Sequence, residues 1–202
     1  MDYAKNQDYQ NILTTVRDNL EGIAWPTVIT FIVAAFVLIL SQIAYANQII
    51  GLLTHLILYS YFFYIMYTPL HEAVHQNISG KNKRFKFLNP FLGCISAAFY
   101  LHSYTQHRWS HLEHHKYANN PKLDPDIIIK GPTWFLIAAR GFFILLIKDF
   151  FYIRKEGVKD CDAGKRAMRL GTIESLIPII ILVVLTNLFE LPWYHFFISY
   201  VF

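Results

Sequence analysis

The sequence reads as an all-α protein embedded in a membrane, for three reasons. Of its 202 residues 54% are hydrophobic and only 16% charged, where a soluble domain carries about 25% charged residues. Residues 22–71, fifty in a row, contain no Asp, Glu, Lys or Arg. Sixteen of the eighteen Lys and Arg lie instead between residues 71 and 173, beside eight acids. This composition excludes a disordered chain, a coiled coil and, despite a net charge of +4, a nucleic-acid binder. Cys94 and Cys161 form neither a disulfide framework nor a CxxC metal site and are expected as free, packed thiols.

The elements follow in order. Residues 1–21 are polar, with four acids against two bases, unlike the basic start of a cleavable signal. Residues 9–20 suit either a short amphipathic helix on the membrane surface or a frayed tail. As helix, the charge-free run would be about 75 Å long, and one hydrocarbon crossing takes about 30 Å. Two spans fit, 27–45 and 49–70, with the polar residues 45–48 as the turn. A buried hairpin of a soluble protein is the competing reading. Residues 87–101 reach about 22 Å as helix, too short to cross, and are expected to be re-entrant or to lie on the surface. Residues 134–153 carry Arg140 near their middle. A central arginine costs on the order of 2.5 kcal/mol or more in a bilayer, so an interfacial helix is expected there rather than a span. Residues 172–189 form the next span, with Pro178 tolerated as in packed membrane helices. Residues 193–202 open a fourth span too short to finish, so the single membrane domain of residues 1–202 is expected to be incomplete. Basic residues stay on the cytosolic side. The segment 71–173 and the amino terminus are therefore expected in the cytosol, and the hairpin tip near Asn47 outside.

The histidines suggest the chemistry. Nine occur, at positions 55, 71, 75, 102, 107, 111, 114, 115 and 195. His71 and His75 are four apart, so on a helix both imidazoles share one face where the second span meets the cytosol. His111, His114 and His115 repeat the pattern, with His107 one turn earlier. Neutral imidazole is a common ligand of Fe, Zn, Cu and Ni. Five or six on converging helices exceed the needs of one tetrahedral zinc site, so two metal ions are expected.

The segments His71-Glu72-Ala73-Val74-His75-Gln76 and His111-Leu112-Glu113-His114-His115 resemble the HxxxH and HxxHH boxes of the membrane fatty-acid desaturase and hydroxylase superfamily. Residues 118–126, Ala-Asn-Asn-Pro-Lys-Leu-Asp-Pro-Asp, are similar to the stretch that follows the superfamily's second box, with Asn120 in place of its first acid. The resemblance covers most of the chain. It implies a di-iron centre at the cytosolic membrane face, held by His71, His75, His111, His114 and His115, that activates O2 to remove hydrogen from a lipid chain. The product would be a double bond or, in the runner-up reading, the hydroxyl of a lipid or carotenoid hydroxylase. Glu72 and Asp124 would accept the free ring N–H of a ligand histidine. The superfamily's third box has no counterpart after His115, where only His195 remains, so the remaining ligands are expected from elsewhere. No haem-binding HPGG motif and no flavin or nicotinamide fingerprint occurs. Electrons are therefore expected from a separate ferredoxin or cytochrome b5-like carrier.

Two rivals remain. His71-Glu72-Ala73-Val74-His75 also matches HExxH, the motif of zinc proteases, which leaves HxxHH unexplained. A non-catalytic fragment retaining the boxes is the other. Among the remaining residues, His55 is expected as a neutral interhelical hydrogen-bonder, His102 as structural and His195 as an interface residue. His107 is expected either on the metal or beside it, and Arg108 and Lys116 as solvated charges or contacts to phosphate or an acidic donor. The basic run 81–86 reads as a headgroup-binding loop.

Overall fold

The structure, a computed structural model, describes residues 22–136 and 162–188. Among these residues it holds helices joined by short turns and no strand. α1 (Trp25–Ala46) begins with Pro26 in its first turn, where a missing N–H leaves nothing unsatisfied. It carries no charge and rises about 33 Å. Phe31, Ala34, Leu38, Ser41 and Gln42 are buried, a stripe at spacings of three and four. They face α2 (Leu52–Val74), which buries His55, Tyr59, Met66, Pro69, Leu70, Ala73 and Val74. The outer faces are apolar as well: Ile29, Ile32, Val33 and Phe36 of α1, and Leu53, Ile57, Tyr61 and Tyr64 of α2, are exposed. Water would tolerate such a continuous surface poorly, whereas lipid chains solvate it.

The hairpin turns over residues 47–51, where Gln48 adopts a positive φ of 59° and Asn47 Nδ2 donates to the Ile43 carbonyl at 2.9 Å. At the open end the Ala24 N–H donates to the Ile78 carbonyl at 2.9 Å. The start of α1 and the turn after α2 therefore sit on the same side. α1 overruns the expected span 27–45 at both ends, whereas α2 starts later than the expected 49–70 and runs past its end to include His71, with His75 as its cap.

Beyond that turn and the 3-10 turn Lys83–Phe85 comes α3 (Leu88–Phe99), twelve residues. At about 18 Å it is too short to cross, as expected of residues 87–101. Asn89 fixes its start. Its Oδ1 accepts from Ile78 N at 3.0 Å and its Nδ2 donates to Ser79 Oγ at 2.8 Å. α4 (Tyr104–Tyr117) carries the second box and is capped by Ser103, whose Oγ accepts from Gln106 N at 3.1 Å. Two bonds dock α4 on the end of α2. Tyr104 Oη donates to the Ala73 carbonyl at 2.8 Å, and Arg108 Nε donates to the Val74 carbonyl at 3.1 Å. These carbonyls belong to the last turn of α2, which lacks partners within its own helix. Gly93 makes the approach of α3 possible, since a Cβ there would lie 2.3 Å from the Tyr104 ring.

After the 3-10 turn Ile127–Ile129, the description resumes at α5 (Asp162–Glu174) and α6 (Leu176–Leu188), separated by a turn at Ser175. Trp25–Ala46 and Gly164–Leu188 are long and apolar enough to cross a membrane, with mean hydropathies of 2.4 and 2.0. The helix that contains the second starts before the expected residue 172, in the basic turns of α5, where Lys165, Arg166 and Arg169 are exposed. α2 matches these stretches in length, and its tyrosines and histidines lower its hydropathy. The expected surface helix 9–20, the body of the expected interfacial helix 134–153 and the fourth span 193–202 lie outside the described residues.

Candidate metal centre

Two helix ends build the site. The last turn of α2 and its cap bring His71 and His75 together, with ring centroids 4.6 Å apart. α4 brings His111 and His115, also 4.6 Å apart. Docking α4 on the last carbonyls of α2 closes the square, with His71–His111 at 5.0 Å, His75–His111 at 5.2 Å and His75–His115 at 4.9 Å. One ring nitrogen from each of the four lies within 4.8 Å of the others. His111 Nε2 is the hub, 3.3 Å from His75 Nε2 and 2.9 Å from His115 Nε2.

This convergence fits a bound cation. Two imidazole nitrogens each about 2.0–2.1 Å from one metal stand about 2.8–3.4 Å apart, depending on whether the angle is right or tetrahedral. A neutral Nε2 has either a proton or a lone pair, so a single shared hydrogen cannot satisfy three such atoms aimed at one another. The charge state also suits ligation. Burial, followed by repulsion from His107, His115, His71 and His75, pushes His111 down to about 3. His75 is lowered by burial and then by His71 and His115, and His115 by burial and then by His114 and His71. Unprotonated rings present the lone pairs that a metal requires.

His114 is turned elsewhere. Its Nδ1 lies 2.8 Å from Asp124 Oδ1 and 3.7 Å from Asp126 Oδ2, and these three side chains form a second potential donor group. Burial alone would raise the Asp124 carboxyl. Hydrogen bonds from His114 and from the backbone N–H groups of Asp126 and Asn119 outweigh it and hold the carboxyl below its usual range. The backbone bonds measure 2.8 Å from Asp126 N and 2.7 Å from Asn119 N. An ionised Asp124 keeps the His114 proton on Nδ1 and leaves the lone pair on Nε2. Asn120 Oδ1 accepts from Lys122 N at 2.9 Å and Leu123 N at 3.2 Å, so the loop that presents Asp124 is built without an acid at that position. Glu72 plays the lesser part beside His71, at 3.3 Å, and is itself held by Asn77 Nδ2 at 2.9 Å.

His107 is buried with its ring 5.7 Å from that of His111 and 6.2 Å from that of Tyr67. His102 is 5.8 Å from His107. His55 is buried near the hairpin tip, stacked on Tyr45 at 4.7 Å and 7°. His195 lies outside the described residues. Arg108 is no freely solvated charge, because it holds the end of α2. Glu174, which the sequence reading did not single out, contacts the start of α4. Only the Ser103 cap, three residues before Gln106, marked that start in the sequence.

A family model described as fatty acid desaturase matches residues 46–202. The chain belongs to the fatty acid desaturase family. Membership implies a di-iron site, and the imidazole cluster supplies a donor set that fits one. Zeaxanthin 4-ketolase of Chlamydomonas reinhardtii is 32% identical over 74 residues, which are 35% of this chain and 16% of the ketolase. The chain thus spans only a small part of that relative's length. No solved structure matches it.

Proposed function

We propose that this chain carries the histidine boxes of an iron- and O2-dependent enzyme that oxidises an unactivated C–H bond of a membrane lipid, desaturating a fatty acyl chain. The observation that carries the proposal is the meeting of the two boxes, His71 and His75 with His111 and His115, in a member of the desaturase family. His71, His75, His111, His114 and His115 would hold two iron ions, with His107 the next imidazole in reach. Bound there, iron supplies the activation of O2, which removal of two hydrogens from the lipid and delivery of two external electrons and two protons reduce to two waters.

The residues of the chain do the rest. Asp124 fixes the His114 tautomer, and Glu72 orients His71. His111 is buried and His115 exposed, so the cluster is closed toward the helix pair and open on one side, where an acyl chain and an electron donor approach. The rings of Tyr67 and Tyr100 stand edge to face at 6.2 Å, and Tyr67 lies beside the rings of His71 and His107. The basic residues around the boxes favour a cytosolic position for the site and an acidic carrier, such as a ferredoxin or cytochrome b5-like protein, as donor.

A second reading, oxygen insertion into a lipid or carotenoid, is favoured by the 74-residue likeness to a ketolase. Lipid and carotenoid profiles of cells expressing the intact protein, with and without O2, separate these outcomes. A new double bond supports desaturation and a new hydroxyl or keto group supports insertion. Unchanged profiles with one zinc per chain and peptide hydrolysis would instead establish the HExxH protease.

A further inference from the structure

We infer that Glu174, at the end of α5, is a positioning residue that aims the second histidine box. The inference rests on the metal-centre reading of the imidazole cluster. A helix begins with N–H groups that no carbonyl of its own can satisfy. In α4 side chains take two of these, and the first bond of the helix's own ladder runs from His107 N to the Ser103 carbonyl at 2.9 Å. Gln106 N is taken by Ser103 Oγ at 3.1 Å. Thr105 N is taken by Glu174 Oε2 at 2.7 Å, from 69 residues away. The same carboxylate accepts from Ser103 Oγ at 2.6 Å and from Thr105 Oγ1. One turn earlier Gly171 lies so close to α4 that a Cβ would meet Gln106 at 2.2 Å.

One carboxylate thus ties α5 to the first turn of α4. Its negative charge at that end also suits the direction of the α4 dipole. α4 is fixed elsewhere through Tyr104 and Arg108, both on the side of α2. Glu174 supplies the opposing hold. His111 lies eight residues past Ser103, about 12 Å along the helix. A tilt of about 5° about the clamp would move its nitrogen by about 1 Å, more than a metal site with fixed ligands tolerates. The arrangement of His111, His114 and His115 toward His71 and His75 therefore depends on α5 as well as on α2.

The test uses the intact protein in lipid nanodiscs, with cobalt(II) as probe metal, as wild type and as Glu174→Ala, Glu174→Gln, Glu174→Asp and Thr105→Val. Cobalt affinity is expected to fall about tenfold in Glu174→Ala, with a changed d–d absorption and a lowered melting temperature, since three donors lose their acceptor. Glu174→Asp, which keeps the charge, should recover part of the loss. In metal-free protein with labelled histidines, the ring signal of His111 should shift in the same order. If Glu174→Ala fails to fold, Glu174→Gln and Thr105→Val decide by the same readouts. Wild-type affinity, absorption and histidine signals in the folded variants would overturn the inference. A wild-type protein that binds no cobalt sinks the metal-centre reading and leaves the histidine signals to decide: displaced in the variants they support the clamp, unmoved they overturn it.

Discussion

Replacing Asp124 by Asn keeps the shape of the side chain and removes its charge. The Asp124 carboxylate is 6% exposed and accepts three hydrogen bonds, from His114 Nδ1 and from the N–H groups of Asn119 and Asp126. With one oxygen turned into an NH2 group, at least one of those donors faces another donor. If the amide turns its nitrogen toward His114, the ring must move its proton to Nε2, and the ligand atom is lost. If it turns the nitrogen toward Asn119, that N–H is left unsatisfied, at about 1–3 kcal/mol of stability. Loss of such a supporting carboxylate typically lowers metal affinity 10- to 100-fold, or about 1.4–2.8 kcal/mol. Titration of the intact protein with iron(II) under argon, alongside thermal melting, measures both quantities. Asp126→Asn is the comparison, because Asp126 Oδ2 stands 3.7 Å from His114, beyond a hydrogen bond, and its effect on the His114 tautomer should be the smaller of the two. Equal iron affinity in Asp124→Asn and wild type would refute the tautomer argument, and with it the place of His114 among the ligands.

Removing the hub by His111→Ala should abolish loading of at least one iron per chain, read by elemental analysis; an unchanged metal content would remove His111 from the ligand set. In metal-free protein His111 stays neutral to about pH 3 while the unfolded chain takes up a proton near its ordinary value of 6.5. Its contribution is thus complete above about pH 6.5 and is lost as pH falls toward 3. Melting curves of wild type should show that decline more steeply than those of His111→Asn, and equal slopes would disprove the burial effect. Single cysteines at Asn47 and at the exposed Asn82 should react with impermeant reagents from opposite sides of sealed vesicles. Labelling from the same side would overturn the hairpin topology.

Much of this architecture is legible without coordinates. Fifty residues without a charge have few homes other than a membrane hairpin, and α1 and α2 fall inside that run except for the box residues at its end. Spacings of three and four placed the box histidines on shared faces, yet they grouped His114 too closely with His115. Adjacent helical residues diverge by about 100°, so His115 turns to the cluster while His114 turns to Asp124. The contacts that aim α4 were not legible. Arg108 looks like a solvated cation until its 3.1 Å bond to Val74 is seen. Glu174 stands 71 residues from Ser103, and no local pattern announces that pairing. Charge on α5 hid the start of that helix, because Lys165, Arg166 and Arg169 face outward and the apolar run becomes visible only after them.

The closure between Ala24 and Ile78 has a consequence for biogenesis. Because α1, α2 and the turn that latches them are contiguous, the ribosome completes this unit before it has made any of α4, and the translocon can release it as a finished hairpin. The first imidazole pair therefore waits on a preassembled platform for the second. With the proposed ligand set, metal insertion would come late in the life of the nascent chain, because His71 and His75 alone would hold a cation far less firmly than the full set.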